Sequence, residues 1–426
     1  MKTSEQPVTP SLHGTRFVQL RTASALIAAA VATIVVLLAA ASFFPASSNF
    51  LTLGSALAWT SFAPHLVLVS SIAALLCIPL WRSKRRHVLR GATLSLTVVA
   101  LVASTSITAR LVNSATTNGG SVDLVRSLVL TRHTESPTKI TNYVTVDGAT
   151  QEARIYEPAG GPGDAPVMMY IHGGGWYIGS AEESESMAQR WADEGWYVVS
   201  VNYRLADVEH ATWNKAPADV ACALTWTVKR ASEAGADTSR LTVIGDSAGG
   251  HLAMLLGWSA AAGAVASSCP EAGAVPVAQA VVAGYPVSNI DYTYDHGAAP
   301  RPAFNPREFI RLFLGGAPAD VRNRVLAVSP STYLSKATPP TLVVQPEGDD
   351  FIPAKGNVKV MEEAQKAGVD ATIVSVPFSW HGFDSNRDSI GGQIKNSVVK
   401  TWLEKRDLAP HDKGGLRPRP RLRIFG

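Results

Sequence analysis

Between Arg21 and Arg82 the chain runs for sixty residues without one Asp, Glu, Lys or Arg. A helix needs about 20 apolar residues to cross a bilayer, so the run is long enough for two crossings. Pro45, Ser47, Ser48 and Asn49 interrupt it, which predicts spans near residues 23–44 and 62–81. A third uncharged run, 91–109, is richer in Ser and Thr. Hydroxyls can bond back to helix carbonyls, so this run is also expected to insert. From Asn142 the pattern changes. Short β-branched runs alternate with longer amphipathic stretches, which predicts a mainly parallel sheet covered by helices. Strands are expected at 143–146, 154–156, 167–171, 197–201, 241–244, 278–282, 342–345 and 372–376. Helices are expected at 185–194, 218–231, 248–262, 356–367 and 390–404. Asp147-Gly148 joins the first two strands as a hairpin.

The chain of 426 residues therefore divides into a membrane region at 1–112, a polar linker at 113–141, an α/β domain at 142–407 and a basic tail at 408–426. Charge follows the same division. The first 112 residues carry nine Lys and Arg against one Glu, whereas the middle is acidic. The basic balance thus belongs to the two ends and gives no reason to expect nucleic-acid binding by the middle. Lys2, Arg16 and Arg21 precede the first apolar run, and five basic residues lie between Arg82 and Arg90. Positive flanks stay cytoplasmic, so three crossings would deliver the α/β domain to the outer side. A cleaved signal peptide or an uninserted third run are the alternatives. The alternating Arg-Pro stretch from Arg417 builds no core and is expected as a mobile arm. Cys222 and Cys269 are expected as buried thiols, with pairing left open.

Three motifs carry chemistry. Gly245-Asp246-Ser247-Ala248-Gly249 follows an apolar strand and opens a helix. A serine hydroxyl is a poor nucleophile unless it is exposed next to a base, and a G-x-S-x-G turn exposes it. His172-Gly173-Gly174-Gly175-Trp176 follows an earlier strand. Its bare amides suit an oxyanion, each donor being worth about 2.7–4 kcal/mol. Gly173, Gly174 and the amide of Ala248 are the expected donors. His172 is expected to fix the loop and Trp176 to wall the pocket. Ser379-Trp380-His381-Gly382-Phe383 follows the last strand, which makes His381 the general base. The acid belongs between serine and histidine in the chain, in Gly348-Asp349-Asp350-Phe351-Ile352-Pro353. Asp349 is favoured, with Asp350 or Glu347 as the alternative.

With these residues in hand, the stretch from about 142 to 404 resembles bacterial carboxylesterases of the α/β-hydrolase superfamily, of the hormone-sensitive-lipase-like and feruloyl-esterase-like group. Asn202-Tyr203-Arg204-Leu205 and Ala216-Pro217-Ala218-Asp219 add to the resemblance. It implies an α/β-hydrolase fold, a Ser247–His381–Asp349 triad and scaffold roles for Asn202–Leu205 and Asp219. It also implies an ester hydrolase that needs no metal or organic cofactor. Two departures stand out: the apolar runs replace a soluble N-terminal cap, and Asp350 occupies a place where a small residue or Pro is usual. Residues 299–318, with Phe304, Phe309 and Leu312, form a candidate lid. An acyltransferase using the same serine, a peptidase of the same fold and a non-catalytic binding protein are the rival readings.

Overall fold

The computed structural model describes residues 12–78, 87–129, 136–300 and 304–411. The Arg-Pro tail beyond residue 411, the basic loop at 79–86 and parts of the linker and candidate lid lie outside them.

Eight strands form one sheet in the order β1-β2-β4-β3-β5-β6-β7-β8. The hairpin of β1 (Lys139–Val146) and β2 (Ala149–Tyr156) is antiparallel, and β2 joins β4 (Tyr197–Val201) antiparallel. The remaining strands run parallel: β3 (Pro166–Ile171), β5 (Asp237–Asp246), β6 (Ala280–Gly284), β7 (Thr341–Pro346) and β8 (Ala371–Val376). Strands β3, β4, β6 and β7 are buried along their whole length, as helices on both faces require. One face packs against α6 (Ala216–Glu233), α7 (Ala248–Ala261) and α11 (Ala354–Lys366), the other against α5 (Glu185–Asp193) and α12 (Ile390–Glu404). Between β6 and β7 stand three short helices that the periodicity did not predict: α8 (Ile290–His296), α9 (Pro306–Leu314) and α10 (Arg322–Val328).

The three apolar runs are helices: α1 (Leu12–Ala41), α2 (Phe50–Leu76) and α3 (His87–Thr117). Each is long and apolar enough to cross a membrane. Asn49 caps α2 reciprocally with Thr52, so the second helix starts a dozen residues earlier than the apolar pattern predicts. In α3 the hydroxyls do bond back, Thr108 Oγ1 to the Ser104 carbonyl at 2.8 Å and Thr97 Oγ1 to that of Leu94 at 2.9 Å.

These helices are more than an appendage. Trp59 and Leu111 are fully buried in one apolar cluster with Ile394 and Val398 of α12. The expected linker is largely built in as well. Residues 113–117 complete α3, and 124–129 form a short helix α4 (Leu124–Val129). The Asp123 amide donates to Gln393 Oε1 at 2.7 Å and that of Ser121 to Ser397 Oγ at 2.9 Å. Gly120 lies so close to α12 that a Cβ would stand 2.5 Å from Ser397 Oγ. Polar composition suggested a free tether, but the polar groups are spent on α12.

Candidate active site

Ser247 stands alone between the end of β5 and the start of α7, with φ +55° and ψ −119°. A non-glycine residue with positive φ is held there by its surroundings. The surroundings are glycines: a Cβ on Gly245 would meet the Gly249 carbonyl at 2.4 Å, and one on Gly249 would meet that of Ile171 at 2.1 Å. Only bare backbone lets β5 turn into α7 this sharply against β3, and the turn lifts the Ser247 side chain into a cavity.

His381, in the loop after β8, reaches that side chain. Its Nε2 accepts from Ser247 Oγ at 2.9 Å, and its Nδ1 donates to Asp349 Oδ2 at 2.8 Å. Asp349 also accepts the Ile352 amide at 2.9 Å through Oδ1. Burial raises its carboxyl pKa, and the adjacent imidazole works in the opposite direction. Asp350 points elsewhere. Its Oδ1 accepts the Trp380 indole N–H at 2.8 Å, while its Oδ2 accepts the Ser47 amide at 2.9 Å and the Ser47 hydroxyl at 2.5 Å. The residue that departs from the resemblance therefore ties the turn between α1 and α2 to the histidine loop. Glu347 is exposed, and both ring nitrogens of His381 are engaged by Asp349 and Ser247 instead.

Gly173 lies against the serine: a Cβ there would be 3.4 Å from Ser247 Cβ and 3.0 Å from the Asp246 carbonyl. Gly174, at φ +108°, leaves 2.0 Å between its missing Cβ and the Ile178 carbonyl. Both line the cavity beside Ser247. Ala248 is the first residue of α7, where amides have no partner within the helix. His172 stacks on Tyr203 with ring centroids 4.3 Å apart, and its Nδ1–H donates to the Gly173 carbonyl at 2.7 Å. Burial lowers its pKa to about 4, so it stays neutral at ordinary pH. Tyr203 donates to the His172 carbonyl at 3.1 Å, and Arg204 is clamped by Asp219. Trp176 does not wall the pocket. It is fully buried, has a positive φ and stacks on Phe313 at 4.3 Å.

This fold is found in known proteins. The Thermogutta terrifontis esterase 2 phosphonylated by sarin superposes with a TM-score of 0.53 at 23% identity, covering 66% of this chain and all of that one. The BD-FAE family profile matches residues 154–363. The chain has the α/β-hydrolase fold. It is similar to Esterase LipC of Mycobacterium tuberculosis, 29% identical over 228 residues that cover 52% of this chain and 53% of that protein. Ethyl acetate hydrolase of Pseudomonas putida is 38% identical over 120 residues, 26% of this chain and 36% of its own length. The chain thus spans about half the length, or less, of the curated relatives it matches.

A cavity of about 560 Å³ lies over Ser247, walled by Tyr177, Phe309, Phe351 and Trp380. Of the candidate lid, Phe304 and Phe309 border this cavity. Leu312 lies on the far side of α9, in a recess with Glu308 and Arg311. Sequence reasoning missed a second group of residues. Lys395, fully buried on α12, bridges the carboxylates of Asp246 and Asp384. Tyr170 donates to Asp246, and Tyr285 donates to Asp384 at 2.6 Å. Tyr285 also packs edge-on against His381 at 4.7 Å. Burial raises the Asp246 carboxyl pKa, and the lysine opposes that rise. The available signal was a lone Lys beside Ile394 and Val398, whose side chains are buried. A disulfide joins Cys222 to Cys269, so the expectation of free thiols is corrected. The cysteines are 47 residues apart, and only the packing of α6 against the 267–272 loop brings their Cα atoms to 5.4 Å.

Proposed function

We propose that the protein is a serine carboxylesterase held at a membrane by α1–α3, with Ser247, His381 and Asp349 as its triad. The hydrogen-bonded chain from Ser247 Oγ through His381 to Asp349 carries this reading. Similarity to proteins named as ester hydrolases supports the reaction class. His381 takes the serine proton as Oγ attacks the ester carbonyl, and the amides of Gly173, Gly174 and Ala248 receive the developing oxyanion. The protonated imidazole then passes its proton to the departing alcohol. Water, activated by the same imidazole, releases the acid and restores the serine. Asp349 holds the Nδ1–H tautomer and stabilises the imidazolium.

Residues 1–112 form the membrane region in this reading, and three crossings set residues from Asn113 onward on the outer side. The Cys222–Cys269 disulfide supports that side, because such bonds persist in oxidising compartments. The substrates are acyl or acetyl esters of the cell envelope, on lipids or glycans. Hydrolysis of a nitrophenyl ester series by the purified full chain tests the reaction. Ser247→Ala is expected to lower kcat by a factor on the order of 10⁴ or more. Undiminished turnover in that variant overturns the mechanism.

A further inference from the structure

We propose that the active-site cavity faces the outer leaflet, and that the substrate is an ester-bearing membrane lipid taken directly from the bilayer. This rests on the esterase reading above and decides between its lipid and glycan substrates.

The orientation comes from how α3 lies against the sheet. Gly119 of the 117–123 turn accepts from Thr401 at 2.9 Å. Ser114 donates to the Ser375 carbonyl near the end of β8 at 3.1 Å, and the Arg110 guanidinium sits 5.4 Å from the ring of Phe378, just past that end. Descending α3 toward its N-terminal, membrane-crossing half therefore means ascending β8 toward its carboxyl end. Reactive groups in such a sheet gather at the carboxyl ends of the strands, and this is the edge that points down the helices. Helix α2 continues the descent. Thr60 packs against Gly391, beside the Phe383 carbonyl of the histidine loop.

Helix α4 marks the level of the lipid. It is tied to α2 where His65 Nε2 donates to the Leu128 carbonyl at 3.0 Å, and to the segment between the histidine loop and α12 where Arg126 pairs with Asp388 at 2.6 Å. Two of its apolar side chains face outward: Val125 is 71% exposed and Val129 67%. Just below it, α2 exposes Leu68, Val69, Ile72 and Leu75. A hydrocarbon core of about 30 Å takes about twenty helical residues. Counted back from Leu76, that reaches past His65 into the first turns of α2. A bilayer that covers the lower half of α2 thus also covers α4, whose exposed valines continue the same apolar belt. The cavity lining includes Gly382, Asp384 and Ser385, three to six residues before the Asp388 anchor of α4, and two exposed apolar side chains, Ile178 and Phe304.

In the step this arrangement serves, Ser247 Oγ bonds to the acyl carbon of a lipid ester and the C–O bond to the alcohol breaks. The serine proton reaches the leaving alcohol through His381, and water then displaces the acyl group as the free acid. The full chain is reconstituted in phosphatidylcholine–phosphatidylglycerol vesicles carrying a fluorogenic diacyl lipid, with nitrophenyl acetate supplied from the water. Val125→Asp combined with Val129→Asp is expected to slow lipid hydrolysis at least tenfold and to change nitrophenyl acetate hydrolysis less than twofold. Unchanged lipid hydrolysis overturns the inference. So does a wild-type chain that cleaves the soluble ester but not the lipid, a result that leaves the esterase reading intact. A chain that cleaves neither defeats both. A bimane label on Val125→Cys gives an independent readout if the double variant misfolds. Stronger quenching by nitroxide-labelled lipid than by a water-soluble nitroxide supports the orientation, and the reverse order overturns it.

Discussion

Asp349 and Asp350 are neighbours of identical chemistry with different neighbours of their own. The first is buried, facing an imidazole and a backbone amide. The second holds an indole and a serine from another helix pair. In the proposed triad Asp349→Asn leaves the geometry but stabilises the wrong imidazole tautomer, at an expected cost of about 10⁴ in kcat. Asp350→Ala removes a strut and no proton acceptor of His381, so its loss is expected to stay within about tenfold. Steady-state kinetics of both variants on one soluble ester checks the pair, and the opposite ranking would move the acid to Asp350. The sequence favoured Asp349 but left its neighbour open. Their difference is one of direction, set by how the loop after β7 leaves the sheet.

Among the elements, the glycine-rich turns were legible because their function is local. Gly245, Gly249 and Gly174 each stand where a Cβ would lie within 2.5 Å of a carbonyl oxygen, a constraint that leaves its mark in sequence as unavoidable glycine. The strand and helix pattern from 142 onward was legible for the same kind of reason, since burial on both faces demands uninterrupted apolar runs. Helices α8–α10 escaped because short helices cover too few turns to display a period. Lys395 escaped for another reason. It is one residue on α12, and its partners Asp246 and Asp384 lie 149 and 11 positions away. Lys395→Met strands two buried carboxylates, an expected loss of about 3–5 kcal/mol. Adding Asp384→Asn should recover part of it by removing one of those charges. Chemical denaturation of the two variants measures the difference. An unstable double variant no better than the single one would mean that the lysine acts by packing alone.

At the scale of the molecule, α1–α3 and the sheet share one apolar cluster, and the sequence division into membrane region, linker and catalytic domain runs through that contact. The disulfide bears on the same scale. It closes a loop of 47 residues, for which the chain-entropy relation gives about 4 kcal/mol of stabilisation. Paired Cys222→Ser and Cys269→Ser substitutions are therefore expected to lower the thermal midpoint, and reductant should lower that of the wild type but leave the double variant unmoved. A wild type indifferent to reductant would mean that the thiols are unpaired in the folded protein.

Sequence alone determined the alternation of elements, the three apolar helices, the strand-turn-helix around Ser247 and the residue types around it. Each of these depends on neighbours in the chain: backbone sterics at glycine, periodic burial, the length of an uncharged run. Tertiary structure alone closed the choice between the two aspartates, and decided that Trp176 turns away from the cavity, that Lys395 bridges two acids, that Cys222 finds Cys269, and that the apolar helices α2 and α3 pack against α12. Those outcomes depend on side chains brought together from distant points, and the free energy that selects them comes from burial and charge pairing that exist only once the chain has folded.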